Sequence, residues 1–176
     1  QAADGAPVWK QFCEQILIGV AIIGQRVISL DTEGTVTWWR TVDGRQEETV
    51  DLGPGVSRLV VSPDGAVAAI TPNGVSMMGG GALSIPQVSA ASFGPTVASM
   101  GVGTHSGSFS AIDPASGAAW GTVELGAAIT GVAWSTQGHW IVTAANRLAV
   151  VSGDGTEVLA SIVGPDSLGQ LAVSQN

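Results

Sequence analysis

The sequence predicts an all-β protein, a β-propeller built from four-stranded antiparallel blades, about four of which lie within the chain. Three observations carry that expectation. Apolar β-branched runs alternate with Gly-centred turns from residue 16 to residue 163. The pattern of run, turn, run, turn returns four times, most visibly in VSRLVVSPDGAVAAI from Val56 and ITGVAWSTQGHWIVTA from Ile129. No stretch carries the i, i+3, i+4, i+7 stripe of an amphipathic helix.

Composition agrees. Hydrophobic residues make up 45% of the 176 and charged residues 11%, which suits a packed core and not disorder. The 25 glycines fall between apolar runs, as in a turn-rich all-β chain.

The blades are expected over about 16–52, 56–87, 88–125 and 128–163. In the first, the strands fall at 16–23, 27–30, 35–40 and 47–52. The second places them at 58–62, 67–71, 75–78 and 83–86. The third has 90–93, 97–102, 108–113 and 119–125, and the fourth 129–134, 140–144, 148–152 and 157–163. Gly34, Gly74 and Gly107 mark the turns between second and third strands, 40 and then 33 residues apart. A four-stranded blade repeats at roughly 40–45 residues. These turns need positive φ, and Asn146 is expected to replace glycine in the fourth blade. SPDG (62–65) and STQG (135–138) fill equivalent first turns, where Asp64 and Ser135 are expected to bond local backbone.

Segment 7–12 reads as an outer strand of a preceding blade and 168–173 as an inner strand of a following one. Four blades are at the small limit of this architecture. The expectation is therefore a section of a longer propeller, or a ring completed by another chain.

The segment DTEGTVTWWRTVDGRQEETV (31–50) resembles part of a WD-repeat blade, with Trp39 where the dipeptide's Trp stands and Arg40 replacing its Asp. Glu33 stands in for the turn Asp. In HSGSFSAIDPASGAAWGTVEL (105–125) Asp113 is kept and Ile112 replaces Trp; Met78–Gly79 and Val151–Ser152 occupy the pair elsewhere. The chain thus resembles a degenerate WD-repeat β-propeller whose Asp-His-Ser-Trp hydrogen-bond network is dismantled, leaving stability to apolar packing between blades. FGPTVASMGVGTHSGSFSAI, ITGVAWSTQGHWIVTAANRLAVV and IIGQRVISLDTEG are similar to blades of actin-interacting-protein-type WD propellers, which implies actin or an actin-severing protein as partner.

Charge narrows the partners. The formal net charge is −8, and the single lysine and five arginines are scattered, so no cationic surface tracks phosphate. Neither nucleic acid nor membrane insertion is expected. ILIGVAII (16–23) is far shorter than the roughly 20 residues of a spanning helix. Cys13 is the only cysteine, which excludes an internal disulfide and suits a reducing, cytoplasmic setting, with a secreted or periplasmic one left open.

No catalytic set, cofactor site or metal site emerges. His105 and His139 lie in separate turns without ligand spacing. Ser106 beside His105 reads as a turn, GGGA (79–82) as a hairpin, and Asp31 with Glu33 as solvated carboxylates. A propeller enzyme of lactonase or quinoprotein type is the alternative. It would need polar groups on the inner strands, where Arg58 alone is charged.

Protein partners remain, docking on loops such as 41–45, 62–65, 113–117 and 135–139. The expected contact residues are Trp120, Trp140, Asp113, His139 and Asp64. Trp38 and Trp39 must face opposite sides of their strand. Trp134 and Trp140 are placed to pair across one hairpin.

Overall fold

The computed structural model describes residues 6–166 together with Leu168 and Leu171. Among them there is no helix. Sixteen strands form four separate four-stranded sheets, each an antiparallel meander in chain order. The first sheet holds β1 (Leu17–Ile23), β2 (Arg26–Asp31), β3 (Thr35–Arg40) and β4 (Gln46–Asp51). The second holds β5 (Arg58–Val61), β6 (Val67–Thr71), β7 (Gly74–Met77) and β8 (Ala82–Ser84). The third holds β9 (Val88–Phe93), β10 (Met100–Thr104), β11 (Ser108–Ile112) and β12 (Ala119–Glu124). The fourth holds β13 (Ile129–Trp134), β14 (Trp140–Ala144), β15 (Arg147–Val151) and β16 (Val158–Val163). The chain divides into two compact units, residues 1–59 and 60–176.

In the first unit, Trp38 is buried beside Ile28, its partner across β2 and β3. Trp39 points to the opposite face, where its indole N–H donates to Ser29 Oγ at 2.8 Å. Apolar packing is therefore joined in this sheet by a Ser–Trp hydrogen bond that the sequence reading did not expect. The turn before β3 is held by Asp31 and not by Glu33: Asp31 Oδ1 accepts from the backbone N–H of Glu33 (3.0 Å) and Thr35 (2.9 Å). A Cβ on Gly34 would sit 1.8 Å from the Gly53 carbonyl oxygen, so that turn admits only glycine.

Segment 7–12 forms no strand. Side chains hold it instead. The Trp9 indole N–H donates to Thr41 O (2.7 Å) and Gln11 Nε2 to Gly44 O (3.0 Å), with Trp9 lying over Gly44 where a Cβ would clash. Most of 168–173 lies outside the described residues. Leu168 N–H donates to Ala145 O (2.6 Å), and the Thr130 hydroxyl to Leu168 O (3.1 Å).

In the second unit two apolar clusters alternate with the sheets. One gathers Val60, Ile70, Val75, Phe93, Met100 and Val102. The other gathers Phe109, Ile129, Val132, Trp140, Val142 and Val151. β10 serves both, because successive residues of a strand face opposite sides. Met100 and Val102 enter the first cluster, while Gly101 and Gly103 leave room on the other side for Trp140 and Ile129. Interblade packing thus rests on a large-against-small match.

The fourth sheet's hairpin corrects one expectation. The positive φ falls on Ala145 (49°), not on Asn146. Asn146 contributes differently: its Nδ2 donates to Gly164 O at 3.0 Å.

Candidate interaction surface

The first turns of the three sheets in the second unit share a design. Each inner strand ends in an apolar residue, Val61, Phe93 or Trp134, followed by Ser62–Pro63, Gly94–Pro95 or Ser135–Thr136. Ser62 Oγ accepts from Ala66 N–H (2.7 Å) and Ser135 Oγ from His139 N–H (3.2 Å), closing each turn on itself. Gly94 takes the serine's place in the middle turn because a Cβ there would lie 2.0 Å from Ser99 Oγ. Asp64 does not bond its own turn. Its carboxylate reaches the neighbouring one and accepts from Val97 N–H at 3.4 Å.

Two adjoining cavities open among these turns. One, of about 300 Å³, is lined by Pro63, Pro95, Trp134 and Thr136. The other, of about 240 Å³, is lined by residues including Val61, Ser62, Phe93 and Trp134. Trp134 belongs to both. It is half-buried, and its ring meets Trp140 edge to face at 4.7 Å between centroids. The indole N–H groups of Trp9, Trp39 and Trp140 all donate within the protein. Those of Trp38, Trp120 and Trp134 have no acceptor among the described residues, and of these three only Trp134 lines the cavities. Among the described residues no charged side chain lines either cavity.

The expected contact residues distribute unevenly around this surface. Trp140 is not on it: the side chain is 0% exposed and its indole N–H donates to Gly153 O (3.0 Å), so no partner can reach it. Gly101 of β10, which carries no Cβ against the indole, sets its depth. Trp120 is 48% exposed on β12 and lines neither cavity. Asp113 organises the β11–β12 turn, where the Ser116 hydroxyl and then the Ala115 N–H hold its carboxyl below the ordinary carboxylate value. Asp154 does the same in the β15–β16 turn through Ser152 and Thr156. Asp43 does so in the β3–β4 turn through Arg40, then Arg45 N–H. His139 is half-buried beside Trp140, with a buried Nδ1 that has no hydrogen-bond partner.

His105 occupies the β10–β11 turn, at the opposite end of its sheet from the β9–β10 turn. Among the described residues no three His, Cys, Asp or Glu side chains come together as a metal site. A separate polar cleft of about 330 Å³ in the first unit is lined by residues including Phe12, Cys13, Asp31, Thr37 and Trp39. Among the described residues no helix is long and apolar enough to cross a membrane.

Trp134, Pro63 and Pro95 were legible only in part. The sequence pairs Trp134 with Trp140, but it does not say which indole is sunk and which stands at the turn. The available signal was the recurrence of Pro or Thr two residues after each inner strand's last apolar residue.

No protein-family profile and no curated protein matches the chain. Among solved structures, the one titled "Structure of U3-55K", a WD40 β-propeller protein, is similar with a TM-score of 0.73 at 13% sequence identity. The likeness covers 90% of this chain and 55% of that one, so the chain spans about half the length of its structural neighbour. At that identity the likeness speaks for the fold alone, and the fold is that of a β-propeller with four-stranded antiparallel blades.

Proposed function

We propose that this chain is a non-catalytic protein-interaction module, a degenerate WD-repeat propeller serving as a scaffold within a larger assembly, in a reducing compartment such as the cytoplasm. The observation that carries the reading is Trp134, half-buried between two uncharged cavities with an indole N–H that no protein group accepts. Aromatic anchors surrounded by rigid walls are where interface energy concentrates. Pro63 and Pro95 supply such walls with little conformational entropy to lose.

The occupant that fits is an extended segment of a protein partner. Its backbone carbonyl would accept from the indole, and an uncharged, apolar side chain would enter the neighbouring cavity. The narrower reading of an actin-regulatory partner rests on the sequence resemblance alone.

Selection of peptides from a displayed library on the purified chain tests this. Peptides so obtained should lose at least about tenfold in affinity with Trp134→Ala. Trp134→Phe, which keeps the ring and removes the N–H, should lose less. Trp120→Ala should bind as the parent does. Selected peptides indifferent to both Trp134 substitutions would defeat the reading, as would turnover of small esters or binding of a redox cofactor.

A further inference from the structure

The outer strands of the four sheets are guarded unequally. β4 carries Glu47, Glu48 and Asp51, β8 is three residues long, and β12 holds Glu124. Charges and brevity are the usual means of keeping a sheet edge from recruiting another strand. β16, VLASIV, has neither device. It contains no charged residue, proline or glycine, and all six residues are exposed, with Ile162 at 69% and Val163 at 62%.

The pairing with β15 fixes which backbone groups are free. Gly164 N–H donates to Asn146 O at 2.7 Å, and the register continues through Leu148 with Ile162 and Val150 with Ala160. Antiparallel alternation then turns the N–H and C=O of Ala160 and Ile162 toward β15. Those of Ser161 and Val163 point away from the sheet.

We propose that β16 is a self-association edge, pairing antiparallel with β16 of a second copy about a twofold axis to join two fourth sheets into one of eight strands. A twofold axis at Ser161 sets its outward N–H and C=O against the same groups of the other copy, and those of Val163 against Leu159, so donors meet acceptors. It opposes no like charges across the strand, whereas the same operation on β4 would bring acidic residues together. Ile162 on one face and Val163 on the other gain apolar cross-strand contact. One contact covers both undefended edges, which is the economy of an isologous interface. The surface is separate from the cavities beside Trp134, so this inference stands apart from the docking reading.

Sedimentation velocity over a concentration series reaching about 100 µM tests it, a range suited to a small interface. The chain should pass from monomer to dimer. Ser161→Pro removes an outward N–H without breaking a bond to β15, a position where an edge strand tolerates proline. It should return the chain to monomer at every concentration, with the melting temperature little changed. Ser161→Lys opposes two cations across the axis and should do the same, which covers the case in which proline unfolds the sheet. Trp134→Ala should leave the dimer intact. A chain that stays monomeric throughout overturns the proposal. So does a dimer that survives both substitutions, or an edge that pairs only with a strand from another protein.

Discussion

Trp140 occupies the space that a side chain on Gly101 would need: a Cβ built there lies 2.7 Å from Cε3 of the indole. The two residues belong to different sheets, so this contact joins the third blade to the fourth. Phe109 completes the stack at 5.7 Å between ring centroids.

Gly101→Ala is therefore expected to destabilise the protein by about 1–3 kcal/mol through overpacking. Trp140→Ala should cost about 3–5 kcal/mol by leaving a cavity. Urea denaturation of the single variants measures both. The double variant should recover part of the loss, since the alanine at 101 then faces empty space.

Ala145 holds a positive φ of 49° with a Cβ attached. Glycine adopts that conformation without the steric cost, though it loses more entropy on folding. Ala145→Gly should raise stability by about 0.5–1 kcal/mol, read as a higher urea midpoint at unchanged slope.

The Ser29–Trp39 hydrogen bond crosses from β2 to β3 in a part-buried setting. Removing the hydroxyl with Ser29→Ala leaves the indole N–H unpaired and should cost about 1 kcal/mol. Trp39→Phe combined with Ser29→Ala should cost less than the two single changes added together, and a double-mutant cycle reads the coupling.

Three turns depend on ionised aspartates. The carboxyls of Asp43, Asp113 and Asp154 are all held below the ordinary value of 3.8 by hydrogen bonds. A lowered folded-state pKa contributes stability above the unfolded pKa and loses it as pH falls through the folded one. The melting temperature should hold steady near neutrality and fall below about pH 4. Asp113→Asn and Asp154→Asn together should flatten that acid slope.

The fold class was legible because turn chemistry is local. SPDG and STQG announce two equivalent hairpins, and the four runs of alternating residues announce the strands between them. The pairing of Trp134 with Trp140 followed from their positions on either side of one such turn. Depth was not legible, because it is set by residues far away in sequence. Gly101 and Gly103 sink Trp140 and Ile129, and nothing near residue 140 says so. Segment 7–12 misled because its apolar residues suggested a strand, yet its tertiary bonds run from the Trp9 and Gln11 side chains. The exchange of roles at Asn146 has a similar origin. Hairpin statistics favour asparagine for positive φ, while here its side chain is engaged by Gly164.

The interaction reading rests on the Trp134 indole N–H, which no protein group accepts at the cavity mouths, and nitrogen-15 spectra of the indoles observe it directly. The chain has six tryptophans, and single substitutions assign their signals. Addition of a selected peptide should shift the Trp134 N–H resonance strongly and leave that of Trp120 in place. A peptide that binds while the Trp134 signal stays fixed would contradict the account.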